Sequence, residues 1–262
     1  MKNKLTIIKV GGGILNERKL FEIFLENYSK IKGLKLLVHG GGVIASNYMI
    51  RLGIPVKMNE GRRITDSDTL DVAVMTYAGL INKNIVSTLQ KFNCNAIGLC
   101  GADANLITSK IREIKEIDYG LVGDILSIND NFINQLLKLK ISPIICSLTH
   151  NGEGQILNTN ADSIASEISI KLSKNYDVTL KYCFDKPGIL TDKNDNLSIK
   201  KTIRKNDYNQ LIKNNIISDG MVPKIENCYY ALENGVSNIF IGDHNIIKST
   251  EDCTKIVLWW MS

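Results

Sequence analysis

Two glycine triplets, each set between an apolar β-branched run and a stretch of helical spacing, constrain this chain more than any other feature. Residues 5–10 form a short apolar run, Gly11-Gly12-Gly13 follows, and Leu20, Phe21, Phe24 and Tyr28 then recur at helical spacing. The pattern repeats at once. Residues 35–38 are apolar apart from Lys35, His39-Gly40-Gly41-Gly42 is the second loop, and residues 43–52 have helical spacing before Gly53. Two strand–loop–helix units in succession need parallel strands joined by right-handed crossovers, which makes the fold α/β.

The remaining pattern extends that reading. Residues 68–92 predict one long helix with a cap at Thr65, Asp66 or Ser67, and residues 96–99 a buried strand. Residues 106–128 alternate around Gly120 and Gly123 as a β-hairpin does, and 130–139 return to helix. Residues 143–148 predict a strand, Asn151-Gly152-Glu153-Gly154 a turn and 155–157 a return strand, after which Asn160 or Asp162 caps a helix to Leu172. A second lobe is expected from residues 178–184 onward, with helices over 207–213 and 221–234, a strand over 238–241 and a closing segment over 255–259. At 262 residues, the chain has the size at which one core begins to divide into two. No Pro/Gly/Ser-rich linker separates the halves, so the boundary near residues 173–177 reads as a hinge.

Composition removes several alternatives. A net charge of +5 with no long basic run argues against nucleic acid as a partner. The longest apolar run near the end, residues 256–261, is far short of the roughly 20 residues a membrane helix needs. Lys9 interrupts the first apolar run too early for a secretory signal, so a cytoplasmic protein is expected. The six cysteines contain no CxxC pair and read as reduced thiols, and His39, His150 and His244 have no metal-ligand spacing. No protein-held metal is expected.

Glycine loops between a strand and a helix aim backbone N–H groups at anions. Neither loop is followed by Gly-Lys-Ser or Gly-Lys-Thr, and neither is GxGxxG, which disfavours P-loop and dinucleotide-binding readings. Lys9 is a charge at the end of an apolar strand, costly there unless it meets an anion. Asn158, Asn160 and Asp162 place three short polar side chains where a strand turns into a helix, which suits capping or ligand contact. Arg62 and Arg63 precede the long helix and offer planar forks for a carboxylate. Lys224 stands in the first turn of a predicted helix, where its charge opposes the helix dipole unless an anion offsets it. Lys200, Lys201, Arg204 and Lys205 read as a solvated face.

Lys-Val-Gly-Gly at 9–12, Val-His-Gly-Gly-Gly at 38–42, Gly-Arg-Arg-Ile-Thr at 61–65, Leu-Asn-Thr-Asn-Ala-Asp at 157–162 and Asp-Gly-Met-Val-Pro-Lys at 219–224 together resemble the acetylglutamate kinases of the amino acid kinase family. The resemblance is collinear over nearly the whole chain. It implies a three-layer αβα sandwich around a mainly parallel sheet, with an N-terminal lobe (1–175) for the acylated amino acid and dimerisation and a C-terminal lobe (176–262) for ATP. It places Lys9 and Lys224 on the transferring phosphoryl group and Asp162 between them. It assigns Gly12 to ATP phosphate, Gly41, Gly42, Arg63 and Asn158 to the acylated glutamate, with Asn160 in support. Asp185, Gly188, Ile189, Leu190, Ile216, Ile217 and Ser218 fall where the family binds the nucleotide. Mg²⁺ would arrive on the phosphates of ATP.

Phe184, Lys186-Pro187 and Cys253-Thr254-Lys255 depart from the family's usual pattern on the nucleotide side. The competing acceptor is another N-acyl acidic amino acid such as N-succinylglutamate. A catalytically silent sensor on the same fold is the competing class, and the joint presence of Lys9, Asp162 and Lys224 weighs against it. The resemblance also implies a homodimer. The helix over 68–92 is apolar on more than one face, with Val72, Val74, Met75, Leu80, Ile81, Ile85 and Val86, so one face could meet the core and another a two-fold partner. Arginine-inhibited relatives carry an N-terminal helical arm, and the first strand here begins near Leu5, so strong arginine inhibition is not expected.

Overall fold

The computed structural model describes residues 2–258 apart from 60, 193, 215 and 218–220. Strand β1 (Asn3–Val10) passes through Gly11 into α1 (Gly12–Asn16) and α2 (Arg18–Ser29), and β2 (Leu34–His39) into α3 (Gly42–Arg51). A small hairpin of β3 (Met58–Asn59) and β4 (Arg62–Arg63) precedes α4 (Ser67–Ala73), a π-helical stretch (Val74–Ile81) and α5 (Asn82–Lys91). Then come β5 (Ala96–Leu99), β6 (Ile107–Ile111), β7 (Gly123–Ile128), α6 (Asp130–Lys138), β8 (Ser142–Cys146), β9 (Leu148–His150) and β10 (Ile156–Asn158). The chain continues through α7 (Ala161–Ser173), β11 (Tyr176–Cys183), β12 (Thr202–Arg204), α8 (Tyr208–Lys213), α9 (Met221–Glu233), β13 (Asn238–Gly242) and β14 (Thr254–Val257).

Eight strands form one sheet in the order β12-β14-β13-β11-β1-β2-β8-β5, in which only β13 and β14 pair antiparallel. Successive side chains of a strand point to opposite faces, and β1 divides accordingly. Leu5 and Ile7 join the core on the side of α6, α7, α8 and α9, whereas Ile8 and Val10 join the core beneath α1 to α5. β2 and β8 divide in the same way, with Leu36, Val38 and Ile145 on the first side and Leu37, Ile144 and Cys146 on the second. Because both faces are covered, the central strands read as continuous apolar runs. The three layers are those the resemblance implies.

Three segments differ from the sequence reading. The expected strand over 143–148 breaks at Ser147: β8 stays in the large sheet, and β9 joins a second sheet in the order β10-β9-β6-β7. The long helix begins at Ser67 under an Asp66 cap that accepts from Thr69 N at 3.0 Å, and its middle is π-helical rather than α-helical. Periodicity does not separate those two over so short a stretch. Finally, β11 begins at Tyr176 and pairs along its whole length with β1, so the sheet runs unbroken past residue 175. The hairpin over 106–128 forms as β6 and β7. All six cysteines are free thiols, five of them buried.

Candidate active site

The parallel strands β1, β2 and β11 deliver their C-terminal ends to one edge of the sheet, and both glycine loops emerge there. Gly11 N donates to Cys183 O at 2.8 Å, fastening the first loop to β11. At Gly13 an added Cβ would lie 1.8 Å from Asp185 Oδ1, so the Asp185 carboxylate rests against that loop. Gly41 caps α3 without any side-chain acceptor, which leaves the first-turn N–H groups of that helix available to an anion. An added Cβ at Gly41 would meet Ile81 Cδ1 at 2.4 Å and Tyr77 Cδ1 at 2.6 Å. Only glycine lets the second loop sit this close to the π-helical stretch.

Between the loops lie three charges. Lys9, one residue before the end of β1, pairs with Asp162 Oδ1 at 2.8 Å, and Lys224 donates to Asp162 Oδ2 at 2.5 Å. Asp162 stands in the first turn of α7, which Asn160 caps by accepting from Asp162 N at 2.7 Å and Ser163 N at 3.2 Å. Lys224 stands in the first turn of α9. The three side chains are between 13% and 15% exposed, so the trio is shielded yet open to a ligand from one side. Burial lowers the Lys9 pKa below the usual lysine range against the opposing pull of Asp162, and Lys224 adds to the lowering. Burial alone would raise the Asp162 carboxyl, but the combined fields of Lys9 and Lys224 hold it well below the usual carboxylate range. Two lysines against one carboxylate give the cluster one formal positive charge in excess, a site that wants an anion.

Tyr182 forms the floor of this cluster, and nothing in its sequence surroundings marks it. Its hydroxyl donates to Asp162 O at 3.2 Å and contacts Ser166 Oγ at 2.8 Å, and Lys224 Nζ lies 5.3 Å from the ring centroid. The buried ring thus supports the ammonium while its hydroxyl ties β11 to the first turn of α7.

On the far side of the trio the cleft opens into a cavity of about 450 Å³, lined among others by Gly12, Gly41, Gly42, Arg63, Asn158 and Arg112. Arg63 is buried against α3, with Nη2 donating to Gly42 O at 2.9 Å and Ser46 Oγ at 2.7 Å. Asn158 Nδ2 donates to Thr65 Oγ1 at 3.0 Å, which leaves its carbonyl oxygen for a ligand N–H. Arg62 is exposed at the rim. Arg112, not singled out from the sequence, is held by Asp124 Oδ1 through Nε at 3.0 Å and Nη2 at 2.6 Å. Of the eight residues expected at phosphate and acyl-amino-acid contacts, Lys9, Gly41, Gly42, Arg63, Asn158, Asn160 and Asp162 line this one cleft, together with Gly12, and Lys224 reaches it through Asp162.

The expected nucleotide-side residues do not line it. Gly188 is buried against Ile199 and Thr254, Ile189 N is held by Thr254 Oγ1 at 2.8 Å, and Ile189, Leu190 and Ile217 are buried. Ile216 is half-buried and Asp185 exposed beside the first glycine loop. Ser218, with Asp219 and Gly220 of the last motif, lies outside the described residues. Among the described residues no three His, Cys, Asp or Glu side chains converge as a metal site, and both oxygens of Asp162 are occupied by lysines. The donor set therefore fits a phosphorylated anion and does not fit a protein-held divalent cation.

A three-layer fold with two lysines across one carboxylate, between two anion-facing glycine loops, defines a phosphoryl-transfer scaffold. The sequence profile of the amino acid kinase family matches residues 4–243, and the chain belongs to that family. It is 49% identical over 241 residues to an acetylglutamate kinase of Phocaeicola vulgatus, covering 92% of this chain and 94% of that protein. It is 45% identical over 251 residues to an acetylglutamate kinase of Bacteroides thetaiotaomicron, covering 96% and 98%. Among solved structures, smu.665 from Streptococcus mutans superposes with a TM-score of 0.77 at 26% identity, over 98% of this chain and 99% of that one. Carbamate kinase from Giardia lamblia bound to AMP-PNP, at 14% identity with a TM-score of 0.71 over 98% and 99% of the two chains, shares the fold.

Proposed function

We propose that this chain is a phosphotransferase that moves the γ-phosphoryl group of ATP onto the γ-carboxylate of N-acetyl-L-glutamate, a step of arginine biosynthesis. The observation that carries the reading is the Lys9–Asp162–Lys224 cluster at 2.8 and 2.5 Å, set at the base of a cleft whose other end holds Arg63 and Asn158. The full-length identity to acetylglutamate kinases supports the choice of acceptor.

The acceptor carboxylate has a reference pKa of about 4.3 and is ionised at neutral pH, so no general base is required. Its oxygen attacks the γ-phosphorus in line, the bond to the β,γ-bridging oxygen breaks, and ADP and an acyl phosphate result. What the protein supplies is neutralisation of two approaching anions. Lys9 and Lys224 face the equatorial oxygens of the transferring group, and Asp162 holds both ammonium groups in place. The Gly12 N–H meets ATP phosphate, the Gly41 and Gly42 N–H groups with the Arg63 fork take the acylated amino acid's carboxylate, and Asn158 accepts from its amide N–H. Asn160 serves the site as the cap that fixes Asp162. Mg²⁺ carried on the ATP phosphates would supply neutralisation of their charge; no side chain of the chain is assigned to it.

Residues 1–175 carry the acyl-amino-acid subsite and 176–262 the ATP subsite, with Asp185, Gly188, Ile189, Leu190, Ile216, Ile217 and Ser218 on the nucleotide side. The buried positions among these shape that lobe from beneath. The enzyme works as a homodimer through the helix that begins at Ser67: Val72, Tyr77, Ile81 and Ile85 face the core, while Met75 and Leu80 are exposed. The six free thiols suit a reducing compartment, and we assign it to the cytoplasm. Trapping with hydroxylamine tests the chemistry, because an acyl phosphate yields a coloured hydroxamate. ATP-dependent hydroxamate from N-acetylglutamate is expected, and ADP release without hydroxamate would refute carboxylate transfer.

A further inference from the structure

His39 ends β2, is wholly buried and does not line the cleft. Its Nδ1 lies 2.8 Å from Gly40 O, and its Nε2 lies 3.0 Å from Asn82 Nδ2. The amide nitrogen of Asn82 can only donate, and its orientation is fixed twice: Nδ2 also donates to Ile144 O at 2.9 Å, and Oδ1 accepts from Lys83 Nζ at 3.3 Å. His39 Nε2 is therefore the acceptor, its proton sits on Nδ1, and that N–H donates to Gly40 O, the carbonyl at the root of the second glycine loop. Asn82 itself is buried in a recess that exists only because residue 98 is glycine: an added Cβ there would lie 1.8 Å from Asn82 Oδ1.

The same helical segment touches the loop a second time. Tyr77 and Ile81 of the π-helical stretch press on Gly41, and Asn82 follows Ile81 directly. One stretch of helix thus sets Gly41 by packing and Gly40 by a relay through His39. We infer that His39 and Asn82 are positioning residues for the second glycine loop, holding the Gly41 and Gly42 N–H groups in register for the acylated amino acid. This rests on the assignment of that loop to N-acetylglutamate. Displacing a binding loop by about an ångström is enough to cost one to two orders of magnitude in productive binding.

The test joins a spectrum to a kinetic split. In uniformly ¹⁵N-labelled protein only three histidines contribute, and the His39 ring signals are those lost in His39→Gln. The inference requires the neutral Nδ1–H tautomer for His39; an Nε2–H tautomer overturns it. Kinetically, His39→Gln keeps an acceptor for Asn82 but leaves Gly40 O without its donor, whereas His39→Asn puts an amide N–H where Nδ1 stood. His39→Gln is expected to raise KM for N-acetylglutamate about tenfold with KM for ATP within twofold. His39→Asn should recover most of that loss, and Gly98→Ala, remote from the cleft, should reproduce it. Equal rises in both KM values, or no rise in either, overturn the positioning role while leaving the proposed activity standing. A wild-type protein inert toward N-acetylglutamate defeats the activity, and the inference with it.

Discussion

Removing Lys9 and removing the charge of Asp162 should have very different consequences for stability and the same consequence for catalysis. Each ion pair of the trio, at 2.8 and 2.5 Å, carries about 6 kcal/mol of attraction at an effective dielectric of about 20. That gain is opposed by desolvation of several kcal/mol for each ion and by repulsion between the two ammonium groups. Lys9→Met deletes one attraction, one desolvation cost and the whole of the repulsion, leaving a neutral Lys224–Asp162 pair. The net change is expected within about 1 kcal/mol of zero. Asp162→Asn, by contrast, deletes both attractions and leaves two buried cations facing each other with no counter-charge. Loss of a partner from a buried pair typically costs about 3–5 kcal/mol. Both variants should lower kcat by about 10²- to 10³-fold, since each removes a preorganised charge or the group that aligns it. Urea unfolding followed by circular dichroism, alongside turnover, separates the two effects. If Lys9→Met loses as much stability as Asp162→Asn, or if Asp162→Asn unfolds at the wild-type midpoint, the trio is not the two-cation, one-anion cluster described above.

Arg63→Lys should raise KM for the acylated amino acid well above any change in KM for ATP, because an ammonium keeps the charge but loses the planar fork. Arg62→Lys, altering an exposed rim residue, should do far less; a shift confined to KM for ATP would move Arg63 to the nucleotide side. Burial lowers the His39 pKa from 6.5 to about 4, against the raising effect of its bond to Gly40 O. The folded state thus binds fewer protons than the unfolded state between those values. His39 contributes stability that is fully present above pH 6.5 and lost as pH falls toward 4, about 3 kcal/mol in all. Urea midpoints of wild type and His39→Gln should converge or cross over that window, and parallel curves would exclude a buried neutral His39. Static light scattering should give twice the chain mass, unchanged by arginine, and Met75→Glu with Leu80→Glu should halve it; a hexamer, or a dimer indifferent to those charges, would rule out the proposed interface.

What the sequence reveals about this site depends on how local the cause is. Lys9 and Lys224 stand out because a cation at a strand end or in a first helical turn is unfavourable alone, and the structure pairs both with Asp162. Asn160 reads as a cap and caps. The glycine loops are likewise legible, since strand–loop–helix order dictates them. Tyr182, Ser166, His39 and Asn82 have no such mark. Tyr182 looks like any apolar strand residue, and its two roles arise only when β11, α7 and α9 come together. His39 before a glycine triplet and Asn82 before Lys83 and Asn84 look like ordinary polar positions, and their partnership, which joins β2 to α5, spans 43 residues. Arg112 became part of the cleft only through the β6–β7 hairpin, whose edge the alternation predicts but whose placement it does not. The break at Ser147 is invisible in sequence because Ile144, Ile145 and Cys146 before it and Leu148 after it are all apolar and buried.

The central claim is transfer of a phosphoryl group to the side-chain carboxylate of an N-acylated glutamate. Coupled measurement of ADP release from the purified protein with saturating ATP and Mg²⁺, comparing N-acetylglutamate, N-succinylglutamate and free glutamate, addresses it most directly. The account predicts the highest kcat/KM on N-acetylglutamate and turnover on free glutamate lower by orders of magnitude, with kcat lowered about 10²- to 10³-fold in Lys9→Met. Release of ADP at the same rate with and without any acylated glutamate, or a preference for unacylated glutamate, would contradict it.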